Sequence, residues 1–153
     1  MTPYERLAQL GLELPEPAAP KGAYFPSRRC GNQIWVSGTT SRRGTDPGVL
    51  GVVGDDVTIE QAQEAAGTAA LNLLAAIEAA VGLGAVTSLL HLRGYVRATT
   101  DFGSHPAVID GASRLLLGVF GDQLGAHART AVGVASLPGG ACVELELVAT
   151  VAL

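Results

Sequence analysis

Charge is scarce in this chain. Of its 153 residues only 16% are Asp, Glu, Lys or Arg, against 48% hydrophobic. A soluble monomer of this size ordinarily carries about a quarter charged residues, so the shortfall predicts a homo-oligomer that hides apolar surface between subunits. Positive charge is scarcer still. A net charge of -4 and a pI near 5.2 exert no long-range pull on a phosphate backbone and argue against nucleic acid as a partner. The pairs Arg28/Arg29 and Arg42/Arg43 read as solvated loop surface. Two cysteines, Cys30 and Cys142, are too few and too far apart for a disulfide framework and fit a reducing cytoplasm. Cys142, next to Val143, reads as a small buried hydrophobe.

Other absences narrow the chemistry. His91, His105 and His127 are isolated and form no HxH, HxxE or HExxH cluster, so a metal centre has no support. The glycine-rich run GVLGVVG at 48–54 lacks a Walker lysine, and Ser37 lacks the G-x-S-x-G frame of a nucleophile elbow. The opening MTPYERLAQL has no long apolar core and does not read as a secretory signal. No apolar run reaches the roughly 18 residues of a membrane span, so no membrane association is expected.

What is present alternates between strand and helix periods. Residues 3–12 predict a short helix stopped by Gly11, and 13–21 a proline-rich connector. Ala23–Arg29 and Gln33–Gly38 read as strands around a Cys30-Gly31-Asn32 turn. Residues 39–56 form a loop with a brief strand at Val49–Val53. Thr58 and Gln61 make a capping box for a helix running to Val81, with Gly82 as its stop. Ile59, Ala62, Ala66, Leu73, Ile77 and Ala80 line one face of it. Val86–Ala98 predicts a long strand with His91, Arg93, Tyr95 and Arg97 on one face and Leu90, Leu92 and Val96 on the other. A second helix, capped by Ser104 with Pro106 in its first turn, runs to Gly121. Arg129–Ser136 and Ala141–Leu153 read as a closing hairpin about a Leu137–Gly140 turn. The order β-β-α-β-α-β-β implies an α+β layer, one sheet with both helices on one face.

Charges within an apolar closing strand need a physical reason. In a tight hairpin Glu144 falls near Gly133 and Arg129 near Val148. That register leaves the two about four residues, roughly 13 Å, apart along the strands. A ligand between them, or a neighbouring subunit, closes that gap. One reading gives Arg129 to a ligand carboxylate, which a guanidinium fork suits, and Glu144 to orienting or activating a water. The other is a structural salt bridge sealing a subunit interface. Asp110 reads as a polar residue on the second helix, Tyr24 as interface packing, and His127 as a solvated turn residue.

The spacing Gly22-x-Tyr24, Gly31-Asn32, Val36-Ser37-Gly38, Asp101-Phe102, then Arg129, Leu137-Pro138 and Val143-Glu144-Leu145-Glu146 resembles the RidA/YjgF family. The likeness covers residues 22–153, leaving 1–21 as an N-terminal extension to a single domain. It implies a chorismate-mutase-like fold, a homotrimer with clefts between subunits, and hydrolysis of reactive enamines and imines of the 2-aminoacrylate type to 2-keto acids and ammonia. It also implies no metal and no organic cofactor. By position, Arg129 matches the arginine that grips the substrate carboxylate and Glu144 the acid that places the attacking water. Tyr24 matches the cleft tyrosine, and Gly38 the glycine whose backbone meets the ligand. Thr100 and Ala131 stand where deaminating members often have Asn and Cys, so the pocket is expected to be relined. An older family label is endoribonuclease.

Overall fold

Thr58 opens the main helix as its sequence predicts. In the computed structural model, which describes residues 1–153, the Thr58 hydroxyl accepts from the Gln61 backbone N–H at 3.1 Å. The Gln61 side-chain oxygen accepts from the Thr58 N–H at 2.9 Å. Two of the orphan donors of the first turn are thereby satisfied. Helix α2 (Ile59–Val81) then runs to Gly82, which leaves the helix at φ 80°. Its alanines (Ala62, Ala65, Ala66, Ala69 and Ala70) are buried with Leu73, Leu74 and Ile77. Ala80 is exposed rather than on the buried face, because the final turn runs past the layers that cover the rest. By length and composition α2 could cross a membrane, yet half of its most apolar window is buried inside the fold.

Five strands form one mixed sheet in the order β1-β2-β5-β3-β4. They are β1 (Ser27–Cys30), β2 (Gln33–Thr40), β3 (Val86–Arg97), β4 (Ala128–Val134) and β5 (Val143–Val151). All pairings are antiparallel except β3 with β4. The closing hairpin expected from sequence does not form, since β3 lies between β4 and β5. Burial decides the order. In β5 every odd residue from Val143 to Val151 is buried, whereas β4 exposes most of its residues. The more apolar strand takes the centre and the other takes the edge, reached by the parallel crossover through helix α3. The segment after β4 crosses the end of β3, where the Arg97 N–H donates to the Cys142 carbonyl at 2.9 Å.

On β3 the face carrying His91, Arg93, Tyr95 and Arg97 is as the alternation predicts, and the opposite face buries Leu92 and Val96. Leu90 is the exception. A register shift between Leu89 and His91 puts Leu89 into the core and leaves Leu90 36% exposed, as a β-bulge does. The strand expected at Val49–Val53 is reduced to isolated bridges, Leu50 to Ala141 and Val53 to Ala98 and Val57.

Helix α3 (His105–Leu124) carries Pro106 in its first turn, but Ser104 makes no side-chain cap. Its φ of -99° and ψ of 33° depart from the extended conformation that lets an N-cap oxygen reach back. Gly121 breaks the helix where expected (φ 74°, ψ 173°), and one more turn follows to Leu124. Both long helices pack on one face of the sheet and on each other. Helix α1 (Pro3–Gln9), with its own Thr2–Glu5 capping box, packs on α3 and buries Leu7. The Tyr4 hydroxyl donates to the Glu78 carboxylate at 2.9 Å.

Two glycines set the spacing of the helical layer. A Cβ at Gly94 would overlap the Ile109 side chain, and one at Gly111 would overlap the Gln63 carbonyl of α2. Gly111→Ala should therefore destabilise by about 1–3 kcal/mol in chemical denaturation, overcoming the roughly 1 kcal/mol that Ala gains in a helix. At Gly67 an added Cβ makes only an ordinary contact, 3.7 Å from the Gly111 carbonyl oxygen. Gly67→Ala should be neutral or stabilising in the same measurement.

Candidate functional site

The two carboxylates of β5 point to the sheet face that no helix covers, and they meet different surroundings. Glu146 lies opposite Arg93, whose Nη1 donates to its Oε1 at 2.6 Å. The Tyr95 hydroxyl donates to the same oxygen at 3.4 Å. The hydrogen bond to Glu146, then its charge, raises the pKa of Arg93. Burial, followed by the charge of Glu146, raises that of Tyr95.

Glu144 lies between Thr40 of β2 and Tyr95 of β3. It has no ion-pair partner. Burial first, and repulsion from Glu146 second, lift its carboxyl above the ordinary glutamate value. One carboxylate is thus held by a cation, while its neighbour has none and holds its proton more tightly than an ordinary glutamate.

The floor beside Glu144 is a bulge. Between Val36 and Thr39 the register slips by one residue against β5, so the chain at Ser37–Gly38 swings out of the ladder. A Cβ at Gly38 would lie 2.8 Å from Glu144 Oε1, so the carboxyl and the strand backbone can approach this closely only at a glycine. The sequence expects the Gly38 backbone to meet a ligand; within the chain its neighbour is the Glu144 carboxyl. Ser37 is occupied, donating to the Phe25 carbonyl at 2.6 Å.

Arg129 stands elsewhere. It pairs in register with Leu92 of the core and so projects toward the helices, on the sheet face opposite Glu144. Its Nη1 donates to Asp110 Oδ1 at 2.7 Å and to Ser113 Oγ at 3.1 Å, and its Nη2 to the Pro106 carbonyl at 3.3 Å. Within the chain the ion-pair partner of Arg129 is Asp110. Ala131, two residues on, packs against the core. Thr100 is exposed in the turn after β3. Tyr24 is 49% exposed just before β1, at the far edge of the sheet from Arg129. The structure brings Gly38 and Glu144 together and leaves Arg129 with Ala131, Thr100, and Tyr24 in separate places.

Three residues gain roles that the sequence reading did not give them. Asp110 pairs with Arg129, Ser113 joins the pair, and His127 is half-buried rather than solvated. His127 Nδ1 lies 2.6 Å from the Gly125 carbonyl and its Nε2 3.0 Å from Ser113 Oγ. The i, i+3 spacing of Asp110 and Ser113 on one face of α3 was the available signal, but only the crossover places it over β4. Nowhere do three His, Cys, Asp or Glu side chains converge in the manner of a metal site. Cys142 is buried, with its thiol pushed up to about 11 by desolvation. On the uncovered face Trp35, His91, Arg93, Glu146 and Val148 line a cavity of about 160 Å³, below the usual 300–1,000 Å³ of a ligand pocket.

This architecture defines the class. The family model described as "YjgF/chorismate_mutase-like, putative endoribonuclease" matches residues 4–150, and the chain belongs to that family. Among its relatives, Protein TCP17 of Trypanosoma cruzi is 38% identical over 141 residues, 92% of this chain and 88% of that protein. The crystal structure of Atu1372 from Agrobacterium tumefaciens superposes with a TM-score of 0.90 at 36% identity, covering 99% of this chain and 94% of that one. A candidate endoribonuclease from Shewanella oneidensis MR-1 gives 0.94 at 33% identity, covering 99% and 100%. The structure of E. coli TdcF with bound serine shares the fold, with a TM-score of 0.64 at 18% identity over 91% of this chain and 94% of that one.

The raised Glu144 pKa carries a stability consequence. A carboxyl whose folded pKa is raised favours the fold most when protonated, below about pH 4. That contribution is lost as pH rises through the raised value. Glu144→Gln should therefore raise the Tm at pH 7, and the gain should shrink toward zero near pH 4 when thermal unfolding of the two proteins is compared.

Proposed function

We propose that this protein is a hydrolase of small carboxylate-bearing enamines and imines of the 2-aminoacrylate type, working at clefts between the subunits of a homotrimer. The observation that carries the reading is Glu144, a half-buried carboxyl with no cationic partner and a raised pKa, pressed against the backbone at Gly38. A carboxyl whose pKa is raised in this way is a stronger base than an ordinary glutamate and is suited to taking and giving a proton. The wide separation of Tyr24, Glu144 and Arg129 within one chain supports a site completed by a second copy. So does the uncovered sheet face, with Trp35 and Val132 exposed. The serine in the TdcF structure, a small carboxylate-bearing molecule, supports the substrate class. The free, unpaired cysteines fit the cytoplasm.

In this reading Arg129 grips the substrate carboxylate, Tyr24 closes the cleft, and the backbone at Gly38 orients the reacting group. The enamine first tautomerises to the imine by taking a proton at C3 and losing one from nitrogen. Glu144 then orients the water that adds to the imine carbon, accepts its proton, and passes it to nitrogen. The C–N bond of the resulting carbinolamine breaks, releasing ammonia as the hydroxyl becomes the carbonyl of the 2-keto acid. Thr100 and Ala131 line the pocket and set its shape. No metal and no organic cofactor enters any step.

With 2-aminoacrylate generated in situ, ammonia release should be accelerated by the wild-type protein. Glu144→Gln should lose about 10²-fold or more of the rate, the usual share of general acid–base catalysis. Arg129→Ala should lose about a hundredfold in kcat/KM, the worth of a charge-assisted contact. Full activity in Arg129→Ala would exclude the mechanism. The second reading, a non-catalytic trimer that binds a small carboxylate, is favoured by Thr100 and Ala131 standing at the two relined positions. It predicts thermal stabilisation by pyruvate without ammonia release. Ribonuclease activity, named in the family description, is disfavoured by the net charge of -4.

A further inference from the structure

The guanidinium of Arg129 is largely committed within its own chain. Both Nη1 hydrogens are used, by Asp110 Oδ1 and Ser113 Oγ, and one Nη2 hydrogen goes to the Pro106 carbonyl. An arginine has five N–H groups, so two remain, one on Nε and one on Nη2. They are as many as a bidentate carboxylate requires.

The partners are themselves braced. The Gly125 carbonyl can only accept, so His127 Nδ1 carries the proton across their 2.6 Å contact. Its Nε2 lies 3.0 Å from Ser113 Oγ, and in either sense of that hydrogen bond the hydroxyl oxygen keeps a lone pair for Arg129. The arginine side chain is only 23% exposed, so the geometry is set before any ligand arrives.

The charge balance matters as much as the geometry. Asp110 neutralises Arg129 at 2.7 Å. Its other oxygen meets Arg114 only at 3.6 Å, and Arg114 is 68% exposed, where solvent screens it. A single carboxylate arriving at the two free N–H groups gains charge-assisted hydrogen bonds. A second negative charge on the same small molecule gains no further donor and is repelled by Asp110 within a few ångströms.

We propose that Asp110 is a specificity-determining residue. It holds Arg129 ready for one carboxylate and turns away doubly charged acids, restricting the site to small monocarboxylates. This rests on the reading that Arg129 binds the substrate carboxylate. Ser113 and His127 are positioning residues in the same chain of contacts.

The test is isothermal titration of the full-length protein with pyruvate and malonate, three-carbon acids of one and two charges. Wild type should prefer pyruvate. Asp110→Asn should shift the ratio of the two affinities toward malonate by roughly tenfold or more. Asp110→Ser, which keeps a short acceptor without the charge, should do the same and serves if the first variant folds poorly. Ser113→Ala should weaken both ligands by a similar factor and leave the ratio unchanged, which separates positioning from charge. If both Asp110 variants keep the wild-type ratio while Arg129→Ala abolishes pyruvate binding, the role given to Asp110 is wrong and the site stands. If Arg129→Ala binds pyruvate as wild type does, the site reading itself is wrong.

Discussion

The insertion of β5 between β2 and β3 is the constraint on which the rest of the molecule depends. It gives the most apolar strand two neighbours and buries every second side chain of it beneath the helical layer, chiefly against α2. The same alternation turns Glu144 and Glu146 to the other face. From there the neighbours decide their fates. Arg93 on one side captures Glu146, and the bulged, glycine-bearing stretch of β2 on the other side admits Glu144 without offering it a cation. Two carboxylates two residues apart on one strand are thereby given different partners, a cation for one and none for the other.

The cost of that central place is borne by β4. Displaced to the edge by the parallel crossover, it turns Arg129 toward α3 instead of toward β5. Asp110 satisfies the charge there, and the site residues are divided between the two faces and two edges of the sheet. Under the proposed function, one copy alone does not close a pocket around all of them. Low charge content, an uncovered sheet face and separated site residues all favour an assembly of several copies.

Local chemistry was legible in the sequence. The Thr58–Gln61 capping box, the stop at Gly82 and the β3 face of His91, Arg93, Tyr95 and Arg97 depend on residues within a turn or two of one another, and each formed as expected. Family spacing marked Gly38, Glu144 and Arg129 for attention, but that Glu144 would lie against Gly38 follows from the β2–β5 register and was not legible. What failed was long-range. The Leu137–Gly140 turn looks like a hairpin because it sits between two strand patterns, yet nothing local says that β3 will part those strands. The same gap hid Asp110 and His127, whose partners are brought to them only by the α3 crossover. Leu90 was misplaced because a bulge moves the alternation by one, and no residue type announces it.

The raised proton affinity of Glu144 is the physical basis of the proposed chemistry, and it can be read directly. Carboxyl ¹³C chemical shifts of Glu144, followed by NMR across pH in the intact protein, give its midpoint. That midpoint should lie above the ordinary glutamate value of 4.5 and should fall partway toward it in Glu146→Gln, which removes the repulsive neighbour but not the burial. A Glu144 midpoint at or below 4.5 would contradict the claim that this carboxyl is poised to exchange a proton.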